Sequence, residues 1–186
     1  MQNKTKLHLG CGKRDFGKEW IHVDGTNYPH VDIVTNELNL LPFADETFDL
    51  VYASHVIAYY DRLEALYVLT EWNRILKVGG VLRLATPDFE VLSRLYQNGD
   101  IVLEQLLGPA YGKMQIGDET IYHKTVYDYV SLNELLTKVG FPPAIPYDWR
   151  KTEHAHVDDH SQAYIPNMDK ENGTLISLNV EAIKIK

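Results

Sequence analysis

Thiols are nearly absent from this 186-residue sequence, which has a single cysteine, Cys11. One thiol can form no internal disulfide and can build no zinc site from four thiolates. The sequence also lacks any apolar run near the ~20 residues that span a bilayer, so we expect no membrane partner. Positive charge is scarce, with 18 Lys and Arg against 26 Asp and Glu and a net charge of −8. Because an acidic surface repels phosphate backbones, we expect no nucleic-acid partner.

The composition is otherwise ordinary for a globular protein, with 45% hydrophobic and 24% charged residues. This balance suits one sizeable core, and we predict a single domain over residues 1–186. Residues 1–6 contain no apolar stretch of signal-peptide length before the first strand pattern begins. Together with the lone cysteine, this favours a reducing, cytoplasmic compartment.

Short apolar strand patterns alternate with helical patterns along the chain. The predicted strands are 7–9, 20–23, 31–34, 48–53, 81–85 and 175–183, and the predicted helices are 63–76, 90–97 and 131–139. We place a glycine stop at Gly79 and Gly80 after the first helix, and an N-cap at Ser131 of the last one. The alternation predicts an α/β fold with a mainly parallel sheet and helices on both faces. In such sheets ligands bind beyond the carboxyl ends of the strands.

A pair of glycines and a carboxylate follow the first two predicted strands. Gly10 and Gly12 allow a ligand to lie against the main chain, because no Cβ stands in the way. Asp24 ends the second strand, where a carboxylate can accept hydrogen bonds from both hydroxyls of a ribose. A dinucleotide is disfavoured, since Gly17 comes two places late for the dinucleotide fingerprint and Asp24 comes only 14 residues after Gly10. The seven residues between Gly12 and Trp20 are too few for a crossover helix, so the first helix is missing or one turn long.

Five segments in consistent order resemble the motifs of class I S-adenosylmethionine-dependent methyltransferases, in particular a small subgroup similar to methyltransferase type 11. The segments are LHLGCG at 7–12, LPFADETFD at 41–49, SHVI at 54–57, RILKVGGVLRL at 74–84 and LLTKVGF at 135–141. Two departures stand out: Val78 replaces a proline of the pattern, and Ala58-Tyr59 replaces a common Glu-His pair. No role of that pair can therefore be transferred to this chain.

The resemblance implies a Rossmann-like methyltransferase fold with a truncated first helix and S-adenosyl-L-methionine as cofactor, held by about residues 1–90. By the same resemblance, Gly10 and Gly12 pass beneath the methionine part and Asp24 holds the ribose. Glu37 accepts a hydrogen bond from the adenine amino group, and Leu38 and Leu41 pack near the ring. Ser54 and His55 lie beside the sulfonium. The full predicted cofactor set is Leu9, Gly10, Cys11, Gly12, Asp24, Gly25, Glu37, Leu38, Ser54 and His55.

Methyl transfer to a hydroxyl or a protonated amine is helped by a base near the acceptor atom. His55, at a strand's carboxyl end, is the first candidate, followed by His123 and Asp88. Some methyltransferases need no base and act by proximity, so the use of a base stays open.

Residues 108–130 are predicted to form a mobile cover over the acceptor. The segment contains three glycines, which permit hinge motions, and four tyrosines, which offer apolar faces with polar tips. These residues are Gly108, Gly112, Gly117, Tyr111, Tyr122, Tyr127 and Tyr129. Ordinary packing of a long excursion is the alternative explanation for the tyrosines.

Two groups of residues allow a functional role besides a structural one. His154, His156 and His160 have the side-chain type of metal ligands, but their spacing lacks helical periodicity and favours a polar loop, so we assign no metal ligand. Cys11 can be a nucleophile, although a small residue filling a tight turn explains it better.

The expected activity is methyl transfer to an oxygen or nitrogen atom of a small-molecule or sugar acceptor. A non-catalytic cofactor-binding module is the alternative, and a small-molecule oxidoreductase a distant third. The oligomeric state is not determined by the sequence.

Overall fold

The computed structural model describes residues 5–116 and 119–186, in which a mainly parallel seven-stranded sheet forms the centre. The strands are β1 (Lys6–Leu9), β2 (Trp20–Asp24), β3 (Ile33–Val34), β4 (Phe48–Ser54), β5 (Leu76–Pro87), β6 (Met114–Ile116), β7 (Glu119–Ile121), β8 (Ile145–Pro146), β9 (Tyr164–Ile165), β10 (Thr174–Leu175) and β11 (Ser177–Ile183). The central order is β3-β2-β1-β4-β5-β11-β8, with β11 antiparallel to both neighbours. This confirms the predicted α/β fold with a mainly parallel sheet.

Four α-helices and three short 3-10 helices connect the strands. The α-helices are α1 (Glu64–Ile75), α2 (Phe89–Asn98), α3 (Leu103–Tyr111) and α4 (Tyr129–Lys138), and the 3-10 helices are Ile57–Tyr59, Trp149–Lys151 and His160–Gln162. The chain passes from β1 to β2 through a loop without a helix, as the short spacing predicts. Among the described helices, none is both long and apolar enough to span a membrane.

One face of the sheet carries the main apolar core. Side chains alternate along a strand, so every second residue of β1, β4 and β5 points to α1 and α4. The core on this side contains Leu7, Leu9, Val51, Ala53, Leu82, Leu84, Leu69, Trp72, Leu132 and Leu136, all of them buried. Removal of this apolar surface from water is the main force that holds the helices on the sheet.

The opposite face of the sheet carries an aromatic cluster. Phe16 and Trp20, from the loop and start of β2, pack with Leu50 and Tyr52 of β4. The His154 ring stacks on Phe16 at a centroid distance of 4.3 Å. Apolar side chains from the loop before β2 therefore bury this part of the sheet. The mainly parallel sheet with its four α-helices agrees with the predicted α/β architecture.

The LPFADETFD segment is fixed to α1 by a charged side-chain network. Arg74 donates to the Phe43 carbonyl at 2.9 Å and to the Glu71 carboxylate at 2.7 Å. Glu71 also accepts from the Leu41 backbone N–H at 2.8 Å. The Arg74 guanidinium and these hydrogen bonds hold the pKa of the buried Glu71 below its usual range. The motif thus has a structural role next to the cavity described below.

Several predicted boundaries differ from the structure. β5 begins at Leu76, directly after α1, so the predicted glycine stop lies inside a strand, where Gly79 has φ 83. The predicted last strand is split at Ile176 into β10 and β11. α4 is capped by Asp128, and the predicted cap residue Ser131 lies in its first turn.

One helix of the structure, α3, lies where no helix was predicted. α3 was not predicted, because Gly108 and Pro109 interrupt its helical pattern and none of its residues is buried. Gly117, one of the predicted hinges, and residues 1–4 lie outside the described residues.

Candidate active site

A cavity of about 790 Å³ opens at the carboxyl ends of β1, β2 and β4. It is where ligands bind in sheets of this kind. Of the predicted cofactor residues, the cavity brings together Gly10, Gly12, Asp24, Gly25, Leu38, Ser54 and His55. The predicted site is therefore assembled from four separate stretches of sequence.

The turn after β1 is held by the carboxylate at the end of β2. Asp24 accepts from the Gly12 N–H at 2.7 Å and, through its other oxygen, from the Thr26 N–H at 2.8 Å. Gly10 has φ 61, and a Cβ there would stand 2.4 Å from Val56 Cγ2. Only glycine fits at this position, which explains the first glycine of the motif. Since each carboxylate oxygen has two lone pairs, Asp24 can still accept from a ligand.

The neighbouring turn is equally crowded around Gly25. A Cβ on Gly25 would lie 1.7 Å from Asn36 Oδ1 and 3.3 Å from Ile116 Cγ2. Asn36 and Leu38 line the cavity, whereas Glu37, between them, is exposed and lies outside the lining. The side chain predicted for adenine recognition is thus not among those that the structure brings to the cavity, and Asn36 is.

Ser54 and His55 form the far wall, at the end of β4. Ser54 Oγ is buried, borders the cavity and has no hydrogen-bond partner among the described residues. His55 has φ 55, a left-handed backbone that is rare outside glycine and is concentrated at functional sites. Its backbone N–H donates to the Ala85 carbonyl at 2.8 Å.

The His55 ring lies beside a second histidine and an arginine. It stacks on His160 with ring centroids 5.1 Å apart, and Arg14 Nη2 lies 3.5 Å from His160 Nε2. Burial lowers the pKa of His55 well below its usual value, and the neighbouring His160, His123 and Arg14 lower it further. Burial followed by Arg14 also lowers the pKa of His160. The environment of the two rings thus favours the neutral form of both imidazoles, most strongly that of His55.

Besides Glu37, five predicted site residues lie outside the cavity lining. Leu9 and Leu41 are buried in the core. Cys11 is buried behind the glycine turn, with a pKa raised to about 12 by burial and then by Asp24, so its thiol is not a nucleophile at neutral pH. Asp88 caps α2 and accepts from the Val91 N–H at 3.1 Å. His123 packs against Gly112 and donates from Nδ1 to the Pro109 carbonyl at 3.1 Å.

The predicted cover contributes to the cavity as a β-hairpin. Met114, Gln115 and Ile116 of β6 and Glu119 and Ile121 of β7 line it. Tyr122 is the one member of the predicted tyrosine set in this lining, among the residues that the structure describes. Tyr127 is fully buried, and the Tyr129 hydroxyl donates to the Ala144 carbonyl, so ordinary packing explains both.

Several lining residues were not predicted as part of the cofactor or acceptor site, among them Arg14, Asn36 and His160. Arg14 and Asn36 lie in loops and His160 begins a short 3-10 helix, so no repeating sequence pattern points to them. The structure separates His154, which is buried in the aromatic cluster, from His160 at the cavity. Over residues 5–116 and 119–186, no group of three or more His, Cys, Asp and Glu is arranged to hold a metal ion.

Comparison with known proteins agrees with this architecture. Residues 7–84 match the family described as a methyltransferase domain. No curated protein matches the chain. An S-adenosylmethionine-dependent methyltransferase from Thermotoga maritima is 19% identical with a TM-score of 0.56, and the alignment covers 96% of this chain and 81% of that one.

Two further solved structures share the fold. The 1,6-didemethyltoxoflavin-N1-methyltransferase of Burkholderia thailandensis, solved with its substrate and S-adenosylhomocysteine, is 13% identical with a TM-score of 0.57, over 97% of this chain and 71% of that one. A chain of the Haloferax volcanii complex between a methyltransferase and its activator is 17% identical with a TM-score of 0.56, over 99% and 84% of the two chains. At these identities the comparison shows a shared fold.

Proposed function

We propose that this protein moves a methyl group from S-adenosyl-L-methionine to an oxygen or nitrogen atom of a small-molecule acceptor. The order of its sheet and the family match over residues 7–84 support a class I methyltransferase. One observation carries the proposal. The cavity joins a glycine turn, a carboxylate at the end of β2 and a histidine at the end of β4, which are the parts that cofactor binding and acceptor activation need.

The residues at the cavity fit the cofactor. Gly10 and Gly25 leave a cradle that any Cβ would fill, and Ser54 Oγ is a buried polar atom without a partner in the described chain. Asp24 accepts the ribose hydroxyls while its bonds to Gly12 and Thr26 hold it in place. Asn36 and Leu38 offer a polar and an apolar contact to the adenine. When bound, S-adenosylmethionine supplies a methyl group already activated by a positively charged sulfur.

His55 is the proposed base for the acceptor. Its neutral imidazole has one nitrogen with a free lone pair, which takes the proton of a hydroxyl or an ammonium as the acceptor atom forms its bond to carbon. The rest of the rate comes from holding the acceptor atom at reacting distance from the methyl group.

The acceptor class follows from size and charge. The net charge of −8 disfavours a nucleic-acid acceptor, and the cavity has the size of small-molecule sites. The Burkholderia thailandensis methyltransferase binds the small molecule 1,6-didemethyltoxoflavin, which supports the same class of acceptor here. A reducing, cytoplasmic setting suits the single buried thiol.

The test is methyl transfer with S-adenosylmethionine labelled in its methyl group. The purified protein is incubated with a fractionated metabolite extract, and products heavier by one methylene are sought by mass spectrometry. We expect at least one labelled product, which is absent with His55→Ala at the same protein concentration. Tight binding of S-adenosylhomocysteine with no labelled product in any fraction would contradict transfer and leave a cofactor-binding module.

A further inference from the structure

The imidazole of His55 lies at one end of a chain of hydrogen bonds that runs across the sheet. His55 Nε2 is 3.1 Å from Ser177 Oγ. Ser177 Oγ is 2.9 Å from Asn179 Oδ1, and Asn179 Nδ2 is 2.8 Å from the Ser161 carbonyl oxygen. Ser177 and Asn179 are two residues apart on β11 and share one face of the sheet. Ser161, Ser177 and Asn179 are all buried, so none of these groups can turn to water instead.

The direction of each hydrogen bond follows from the far end of this chain. The Ser161 carbonyl can only accept, so the Asn179 amide must present its NH₂ group there and its oxygen to Ser177. That oxygen can only accept, so the single hydroxyl proton of Ser177 points to Asn179. Ser177 can then only accept from His55, which requires a proton on His55 Nε2. The opposite arrangement would leave two buried oxygens facing each other without a proton.

The far end itself is held in place. Ser161 lies in the 3-10 helix His160–Gln162, whose N-cap Asp159 accepts from the Ser161 N–H at 2.9 Å. The Tyr52 hydroxyl of β4 donates to the same carboxylate. The Ser161 carbonyl therefore cannot rotate away from Asn179 without breaking the helix cap.

We propose that Ser177 and Asn179 are positioning residues that hold neutral His55 with its proton on Nε2, so that Nδ1 is the atom that takes the acceptor's proton. The role of Nδ1 in proton transfer rests on the proposed function, whereas the tautomer of His55 does not. In the transfer, the acceptor's X–H bond breaks and its proton goes to Nδ1, while the electron pair of X forms the new bond to the methyl carbon. The carbon–sulfur bond breaks, and its electrons neutralise the sulfonium. The imidazolium so formed keeps its Nε2–H bond to Ser177.

The surroundings of His55 agree with a neutral ring of fixed tautomer. The groups that face it are His160, His123 and Arg14, and none of them is an anion that would favour the imidazolium. Over the described residues, the Nε2–Ser177 contact is the one hydrogen bond recorded for the His55 ring. Nothing in that part of the chain competes for Nδ1.

The test is ¹⁵N NMR of the ring nitrogens in the full chain labelled at histidine, with the His55 signals assigned by their loss in His55→Gln. In the wild type we expect the Nε2–H tautomer to exceed the Nδ1–H tautomer by roughly fivefold or more, the ratio for one hydrogen bond of about 1 kcal/mol. Asn179→Ala frees the Ser177 hydroxyl to donate to Nε2, so the ratio should fall severalfold or invert. Ser177→Ala should lower the tautomer ratio toward that of a histidine side chain free in water.

Thr86→Val is the matched control. Thr86 lies on β5 opposite Leu178 of β11, and its buried hydroxyl has no partner in the described chain. This variant should keep the wild-type tautomer ratio. A dominant Nδ1–H tautomer in the wild type would overturn the proposal even if a variant fails to fold, and so would an Asn179→Ala ratio equal to that of Thr86→Val. Calorimetry with S-adenosylhomocysteine on the same samples tests the proposed function separately, because the tautomer does not depend on cofactor binding.

Discussion

His154 is a buried imidazole whose two ring nitrogens both lack a hydrogen-bond partner among the described residues. Burial lowers its pKa from 6.5 to about 4, against a partial opposing effect of Asp159. The unfolded chain therefore binds a proton at a higher pH than the folded chain does. Stability from this residue is complete above pH 6.5 and is lost as the pH falls toward 4, by up to about 3 kcal/mol.

We predict that His154→Phe removes this loss, because a phenyl ring can stack on Phe16 and does not titrate. Urea unfolding between pH 7 and pH 4 should show a flatter profile for the variant and a higher stability than the wild type at the acid end. His156→Gln, at an exposed position, is the control and should follow the wild type. Parallel profiles for all three proteins would show that His154 is not buried as a neutral ring.

The predictability of single residues depended on where they lie. Asp24, Ser54 and His55 end buried strands, and the ends of parallel strands meet at one edge, so sequence alone could group them. Arg14 and Asn36 reach the same cavity from loops and His160 from a short 3-10 helix, and the course of these segments depends on packing. Glu37 illustrates this dependence: its neighbours Asn36 and Leu38 line the cavity, whereas Glu37 is exposed and lies outside the lining.

Among the secondary-structure elements, α4 provides a direct test of a boundary. Asp128 accepts from the Ser131 N–H at 2.8 Å, and Ser131 Oγ accepts in return from the Asp128 N–H at 3.2 Å. Asp128→Ala should lower the free energy of unfolding by about 1 kcal/mol, the usual cost of losing an N-cap. Ser131→Ala should cost less, because it removes only the reciprocal bond. Chemical denaturation of both variants checks this. A larger loss in the free energy of unfolding for Ser131→Ala than for Asp128→Ala would favour Ser131, the residue predicted from sequence, as the N-cap.

Elements with strong periodicity were predicted well, and elements set by tertiary contacts were not. α1 and α2 lie within one or two residues of their predicted bounds, because their apolar spacing is regular. β10 and β11 read as one alternating strand, yet Ile176 separates them so that β10 can pair with β9. α3 buries none of its residues, so it leaves no apolar stripe in the sequence to detect.

In the whole molecule, the β6–β7 hairpin lies over the half of the cavity that sequence assigns to the cofactor. Ile116 stands against Gly25, next to Asp24, and the other side of the hairpin is exposed. We therefore expect the backbone amides of β6 and β7 to exchange fast in the free protein and to be protected once S-adenosylhomocysteine binds, with further protection from an acceptor.

Hydrogen exchange followed by mass spectrometry tests this expectation. Peptides from α1, which lies on the core side of the sheet, serve as the reference and should not change on binding. Strong protection of the hairpin in the free protein would contradict a mobile cover and make it a packed structural element.

The central claim is that the cavity at the strand ends binds S-adenosylmethionine through Asp24. The most direct measurement is titration calorimetry with S-adenosylhomocysteine on the wild type, on Asp24→Asn and on Asp49→Asn, whose exposed carboxylate at the start of β4 pairs with Lys77. We predict binding to the wild type and to Asp49→Asn with equal affinity. Asp24→Asn should bind more than tenfold more weakly, since a hydrogen bond to a charged group contributes about 1.5–3 kcal/mol. No binding to the wild type, or equal affinity for Asp24→Asn, would contradict the claim.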